Sequence, residues 1–144
     1  MLIYYFIMIE AIIMYDHNAY QRARRVKTGN AATKKYEKTK RGFLMRLYRN
    51  MKSRITGVQS AKHHLYRGKS ILPKEEFYEW AHQSEVFHKL FAAWEASEYD
   101  RKLTPSVDRV NSSDGYHVNN MEWVTHSENS RRGSVARNAS KQRN

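Results

Sequence analysis

Apolar and polar positions alternate along two short segments in the last third of the chain. LTPSVDRV, residues 103–110, and MEWVT, residues 121–125, have the alternation typical of half-buried β-strands. The turn signal NSSDG lies between them. Thr125 or Ser127 can cap a short helix, HSENSRR, which we expect to stop at Gly133. The predicted order is strand, turn-rich loop, strand and helix.

Upstream of these segments the apolar positions recur at helical spacing. In GFLMRLYRNMKSRITG they predict an amphipathic basic helix that ends near Gly57. Two more helices are predicted, one starting at Pro73 and one capped by Ser84. Their aromatic side chains sit at helical period, which favours a role in the core over a platform for stacking bases. The predicted fold class is α+β.

The remaining segments are predicted from composition. The apolar start is interrupted by Glu10 and is too short to span a bilayer comfortably. It could be a helix or strand packed on the domain, a peripheral membrane anchor, or sequence upstream of a true start at Met8 or Met14. The predicted segments are 1–17 (apolar), 18–42 (basic flexible arm), 43–100 (helical), 101–133 (strand–strand–helix unit) and 134–144 (basic disordered tail).

Positive charge is concentrated in one part of the chain. The sequence has 26 Lys and Arg against 14 Asp and Glu, a net charge of +12. Residues 20–69 hold 16 of the cations and a single acid, Glu37, whereas the sign reverses over 70–100. Such a distribution favours an anionic partner, most often a nucleic acid, and RNA stays open beside DNA. The chain has no cysteine, which fits a cytoplasmic protein and limits any metal to oxygen or imidazole ligands.

Three polar residues in the strand–strand–helix unit could meet. His126 and Asn129 are three residues apart and share a helix face, and Asp108 near the end of the first strand could approach that face. A carboxylate and an amide oxygen suit a hard divalent cation that also binds phosphate and water. The same residues could equally well only pin loops and helix caps.

The stretch PSVDRVNSSDGYHVNNMEWVTHSEN, residues 105–129, resembles the HNH nucleases, which have a ββα-metal (His-Me) finger. The likeness is to the small phage-encoded homing-type endonucleases, in the branch without zinc. It implies a helical, basic N-terminal part followed by a C-terminal ββα-metal finger. It also implies a DNA endonuclease, in the host cytoplasm if phage-encoded, with Mg²⁺ or Mn²⁺ as cofactor.

The resemblance also implies a role for individual residues. Asp108 and Asn129 correspond to the metal ligands, and Asn120 to the asparagine that ties the loop together. Arg109 stands where the family usually has its general-base histidine, and arginine cannot accept a proton from water at neutral pH. It can grip a phosphate, so His117 and His126 are the candidate bases unless metal-bound water needs none.

Double-stranded DNA is the expected partner, and no stable membrane association is expected. One finger per chain would nick one strand, or would cut both strands as a homodimer. A non-catalytic DNA-binding module that retains the finger as a scaffold is the alternative, which Arg109 favours. The cations expected to hold the duplex are Arg41, Arg46, Arg49, Lys52, Arg54 and Lys69.

Overall fold

The protein is described from a computed structural model that covers residues 1–143, without the side chains of residues 11–15. The side chain of Met14, one of the predicted alternative starts, therefore lies outside the described residues. The chain forms two compact units, residues 1–39 and 40–144.

The first unit consists of two helices, α1 (Leu2–Thr28) and α2 (Ala31–Tyr36). Gly29 ends α1 with a left-handed backbone, φ 57°, a conformation that costs glycine little. Residues 18–42, expected to form a flexible arm, instead lie mostly in helices, because Ala, Lys, Arg and Gln are strong helix formers even without an apolar stripe. Among the described residues, no helix is both long enough and apolar enough to span a membrane.

The second unit is mainly helical and contains one antiparallel sheet of two strands, so the fold class is α+β as predicted. Three short 3-10 turns join its elements. In chain order the elements are α3 (Lys40–Thr56), α4 (His63–Tyr66), α5 (Lys74–Gln83), α6 (Glu85–Ala96), β1 (Pro105–Arg109), β2 (Met121–Thr125) and α7 (His126–Lys141).

The predicted helix caps are present. The Ser84 hydroxyl accepts a hydrogen bond from the Phe87 N–H at 3.2 Å, and the Thr125 hydroxyl accepts one from the Glu128 N–H at 3.2 Å. Each satisfies a donor that the first turn of a helix leaves without a partner. Thr125, rather than Ser127, is therefore the cap of α7.

Helix α7 is longer than predicted. It continues through Gly133 to Lys141, so the expected stop at Gly133 is wrong, and most of the tail over 134–144 is helical. A glycine inside a helix costs only about 1 kcal/mol relative to alanine, which the Ala and Arg residues that follow can offset. The polar surface of α7 gives no apolar period from which its length could have been predicted.

Strand register places the aromatic core beneath the sheet. Val107 pairs with Trp123 across the two strands, and both are buried. The Trp123 ring stacks on Trp80 of α5, with centroids 5.1 Å apart, and lies 4.6 Å from the Phe87 ring of α6. The helical aromatics therefore form the core, as predicted. Helices α5 and α6, which precede the sheet in the chain, cover its buried face.

The loop between the strands is fixed to the segment that precedes α5. Ile71 and Tyr116 form a parallel bridge, in which the Tyr116 N–H donates to Ser70 O at 2.9 Å and the Leu72 N–H donates to Tyr116 O at 2.9 Å. A Cβ added to Gly115 would lie 2.3 Å from Ser70 O and 2.8 Å from Ser70 N. Only glycine fits this close approach of two backbones.

We therefore expect Gly115→Ala to lower the free energy of unfolding by roughly 2–3 kcal/mol, since the overlap is with backbone atoms that cannot rotate away. Urea denaturation measures this change. Gly133→Ala is the matched control, because a Cβ there would lie 3.5 Å from the Arg137 guanidinium in ordinary contact. It should stabilise α7 by up to about 1 kcal/mol. Equal stability of the two variants would contradict the packing described for Gly115.

Candidate functional site

Helix α7 lies against one face of β1, and two side-chain contacts define how they meet. The Asn129 amide donates to the Ser106 hydroxyl at 2.7 Å, and the Arg132 guanidinium contacts the Asp108 carboxylate at 3.1 Å. Ser106 and Asp108 are two residues apart on a strand and so share a face, while Asn129 and Arg132 are neighbours on the helix surface. Asp108 and Asn129, both predicted site residues, therefore lie along the same strand–helix interface.

Arg132 is surrounded by three carboxylates. Its Nη1 contacts both Asp108 and Glu122, which are cross-strand partners in the sheet, and its Nε donates to Glu128 at 2.9 Å. Two carboxylates directly opposite each other repel, and a shared cation removes that repulsion. Hydrogen bonds from Arg131 and Arg132 lower the pKa of Glu128 to about 2, so the Glu128 carboxylate stays ionised well into acid.

Asn120 closes the loop between the strands. Its side chain is buried, accepts from the Asn111 N–H at 2.8 Å, and donates to Asn111 O at 3.0 Å and Gly115 O at 2.8 Å. The contacts use both ends of the amide, which a carboxylate or an aliphatic side chain could not do. Asn120 thus ties the loop together.

Arg109 points away from Asp108, as successive strand residues must. Its Nη1 donates to Asp114 O at 2.9 Å, and its guanidinium carbon lies 4.3 Å from the centre of the Tyr66 ring and 5.4 Å from that of Tyr116. Burial raises the pKa of Tyr116 to about 12, so this phenol stays protonated. No local pattern indicates that two aromatic rings hold Arg109, because Tyr66 is distant from it in the chain.

The two candidate histidines have different surroundings. His117 Nε2 lies 2.7 Å from the Asp114 carboxylate in the loop that follows β1. His126 is the first residue of α7, and its backbone N–H donates to Thr104 O at 2.8 Å. A carboxylate at hydrogen-bond distance is the usual partner of a histidine that moves protons. Sequence reasoning missed Asp114, although its spacing of three residues from His117 was visible.

The six cations predicted to hold DNA fall into two groups. Three of the cations lie on α3 with exposed side chains: Arg41, Arg49 and Lys52. The other three are half-buried: Arg46, Arg54 and Lys69. In this second group Arg46 lies 5.8 Å from the Phe43 ring, Arg54 lies 5.9 Å from the Tyr66 ring, and Lys69 donates to Leu65 O at 2.7 Å. The exposed group is the better placed to reach phosphates.

Metal binding at this site stays a prediction. Across residues 1–143, with the side chains of 11–15 left aside, no three His, Asp or Glu side chains form a group that could hold a metal ion. The predicted pair is one carboxylate, Asp108, and one amide, Asn129.

Comparison of the chain with family models, with curated proteins and with solved structures finds no match. Roles for the side chains are therefore inferred from their contacts and from the resemblance over residues 105–129.

Proposed function

We propose that this protein is a metal-dependent DNA endonuclease that hydrolyses phosphodiester bonds, with an HNH-type ββα-metal finger formed by β1, β2 and α7. One observation carries the proposal. Asp108 near the end of β1 and Asn129 in the first turns of α7 reach the same strand–helix interface through their contacts with Arg132 and Ser106. Asn120 holds the intervening loop in the manner that the resemblance implies for it.

The residues at the interface suit a hard cation. The Asp108 carboxylate, the Asn129 amide and the Ser106 hydroxyl are oxygen donors of the kind that Mg²⁺ and Mn²⁺ prefer. The Asp108 carboxylate already forms an ion pair with the positive Arg132 guanidinium. Asp108 and Asn129 would hold the ion, which when bound supplies positive charge that stabilises the developing charge on the phosphate and the leaving oxygen.

The cations of α3, the loop between the strands and Arg109 have proposed roles that follow from their positions. Exposed cations of α3 would bind the DNA backbone without regard to sequence, which makes binding salt-dependent. The loop held by Asn120 and Gly115 keeps the end of β1 in one geometry, as a preorganised site requires. Arg109, fixed on Tyr66, carries a permanent positive charge near the end of β1, on the face of the strand opposite Asp108.

Because Arg132 shares Asp108 with the predicted metal, its removal should strengthen metal binding. We expect Arg132→Gln to lower the Kd for Mn²⁺ by about fivefold to tenfold, because the guanidinium no longer competes with the ion for the Asp108 carboxylate. Isothermal titration calorimetry measures this Kd without any substrate.

Arg131→Gln is the control for that measurement, because Arg131 contacts Glu128 alone among these acids. It removes the same charge from the next position on α7. If both variants, or neither, change the Kd for Mn²⁺, then Arg132 and the metal do not compete for Asp108.

A non-catalytic DNA-binding module is the second candidate function. One sequence feature and one contact favour it: an arginine, Arg109, occupies the position of the usual base, and Asp108 is already paired with Arg132. Nicking of supercoiled plasmid separates the two functions. Cutting that needs Mg²⁺ or Mn²⁺ and stops with chelator supports the endonuclease, whereas tight DNA binding that is unchanged by chelator, without cutting, supports the module.

A further inference from the structure

Asp114 and His117 form a dyad in the loop between the strands. One oxygen of Asp114 lies 2.7 Å from His117 Nε2, and the other accepts the Gly115 N–H at 2.6 Å. The hydrogen bonds from His117 and Gly115 lower the pKa of Asp114, so the carboxylate is ionised at neutral pH. An ionised carboxylate can only accept, so in the neutral form of the ring Nε2 carries the hydrogen and Nδ1 holds the lone pair that can take a proton.

The dyad lies just beyond the end of β1, next to the Arg109 side chain, which points to the face of the strand opposite Asp108. Arg109 directly follows Asp108, and its guanidinium donates to the carbonyl of Asp114 at 2.9 Å. The His117 side chain is 42 % exposed, so water and a phosphate can reach it. The Asp114 carboxylate contacts the imidazole directly, and the Arg109 guanidinium contacts the backbone carbonyl of the same Asp114.

The loop that carries the dyad is held on both sides. Asn120 binds it at Asn111 and Gly115, and the Tyr116 backbone bridges to Ser70 and Leu72. His117 follows directly after this bridge. An imidazole held by a carboxylate on an anchored loop is preorganised to receive a proton in one place.

We propose that His117 is the general base of this nuclease and that Asp114 is the positioning residue that orients it, a proposal that rests on the endonuclease function. His117 Nδ1 takes a proton from the attacking water while the water oxygen bonds to phosphorus. The bond from phosphorus to the 3′ oxygen breaks, and that oxygen leaves with the electron pair and takes a proton from solvent. His117 returns its proton to solvent, so one water is consumed and 5′-phosphate and 3′-hydroxyl ends form.

The two rival side chains suit this step less well. Arg109 is permanently protonated and has no lone pair to offer. His126 begins α7, where the positive end of the helix dipole repels the charge that a base acquires. Asp114, in contrast, stabilises the imidazolium that forms on His117, as the orienting carboxylate of a hydrolase dyad does.

The test uses the full chain, supercoiled plasmid and Mg²⁺. We expect His117→Ala to lower kcat at pH 7 by about 100-fold or more, with partial recovery when imidazole is added to the buffer. The rate of the wild type should rise with pH as the base loses its proton, and the variant should lose that rise. His82→Ala, which removes an exposed imidazole from α5, should cut like wild type.

Asp114→Asn tests the orienting role separately. Nitrogen NMR of the His117 ring should show the hydrogen on Nε2 in wild type and a mixture of tautomers in the variant, whose kcat falls less than that of His117→Ala. Unchanged DNA binding shows that the variants are folded, and His117→Gln replaces His117→Ala if the latter is not. Cutting by the His117 variant within about threefold of wild type, with the same pH profile, overturns the dyad while the nuclease stands. A wild-type protein that never cuts with Mg²⁺ or Mn²⁺ overturns both.

Discussion

Replacing Asp108 with asparagine should lower metal-dependent plasmid nicking by about 1,000-fold, since loss of the one carboxylate ligand removes several kcal/mol of transition-state stabilisation. The variant keeps the shape of the side chain and a neutral oxygen beside Arg132, so the interface between β1 and α7 should persist. Initial rates of nicking in Mg²⁺ measure the effect. DNA binding, measured by fluorescence anisotropy with chelator present, should stay within about twofold of wild type because the cations of α3 are untouched.

Glu122→Gln is the matched control for this experiment. Glu122 is the cross-strand partner of Asp108 and contacts the same nitrogen of Arg132, yet it is not a predicted metal ligand. It therefore disturbs the Arg132 network to a similar degree. An equal loss of nicking in both variants would show that the network, and not a ligand at Asp108, is what cutting requires.

Replacing Asn120 with alanine should destabilise the second unit more than any other exchange of a single polar side chain discussed above. The variant leaves the Asn111 N–H, the Asn111 carbonyl and the Gly115 carbonyl without the partners they have in the buried loop. Each such loss costs about 1–3 kcal/mol, so we expect the free energy of unfolding to fall by roughly 3–5 kcal/mol. Urea denaturation followed by circular dichroism measures the change.

Asn138→Ala controls for the chemistry of that exchange. Asn138 is exposed on α7, and alanine is the better helix former there, so its effect should stay within about 0.5 kcal/mol. A cost below about 1 kcal/mol for Asn120→Ala would mean that water satisfies the loop once the amide is gone.

Much of the second unit was predictable because its signals are local. Alternation marked β1 and β2, and capping residues marked the starts of α6 and α7. The extra length of α7 was not predictable, since a solvated polar helix has no apolar stripe and Gly133 resembles a stop signal. The helices over residues 18–42 were missed for the same reason.

The candidate site was predictable only in part. Asp108, Asn120 and Asn129 could be chosen from the resemblance, and the structure brings Asp108 and Asn129 to one interface. The pairing of Asp108 with Arg132 joins residues 24 apart in the chain, so no local pattern reveals it. The approach of Ser70 to Gly115 was hidden in the same way, because contacts between distant backbones leave no periodic trace.

The stacking of Trp123 on Trp80 has a consequence for how such a protein can be divided. A fragment that begins near residue 103 would carry both predicted ligands, yet Val107 and Trp123 would face water where α5 and α6 now cover them. Expressed alone, this fragment would expose these apolar side chains to water and would aggregate. A fragment that keeps this core covered therefore has to include the helices from α3 onward, which is the compact unit that starts at residue 40.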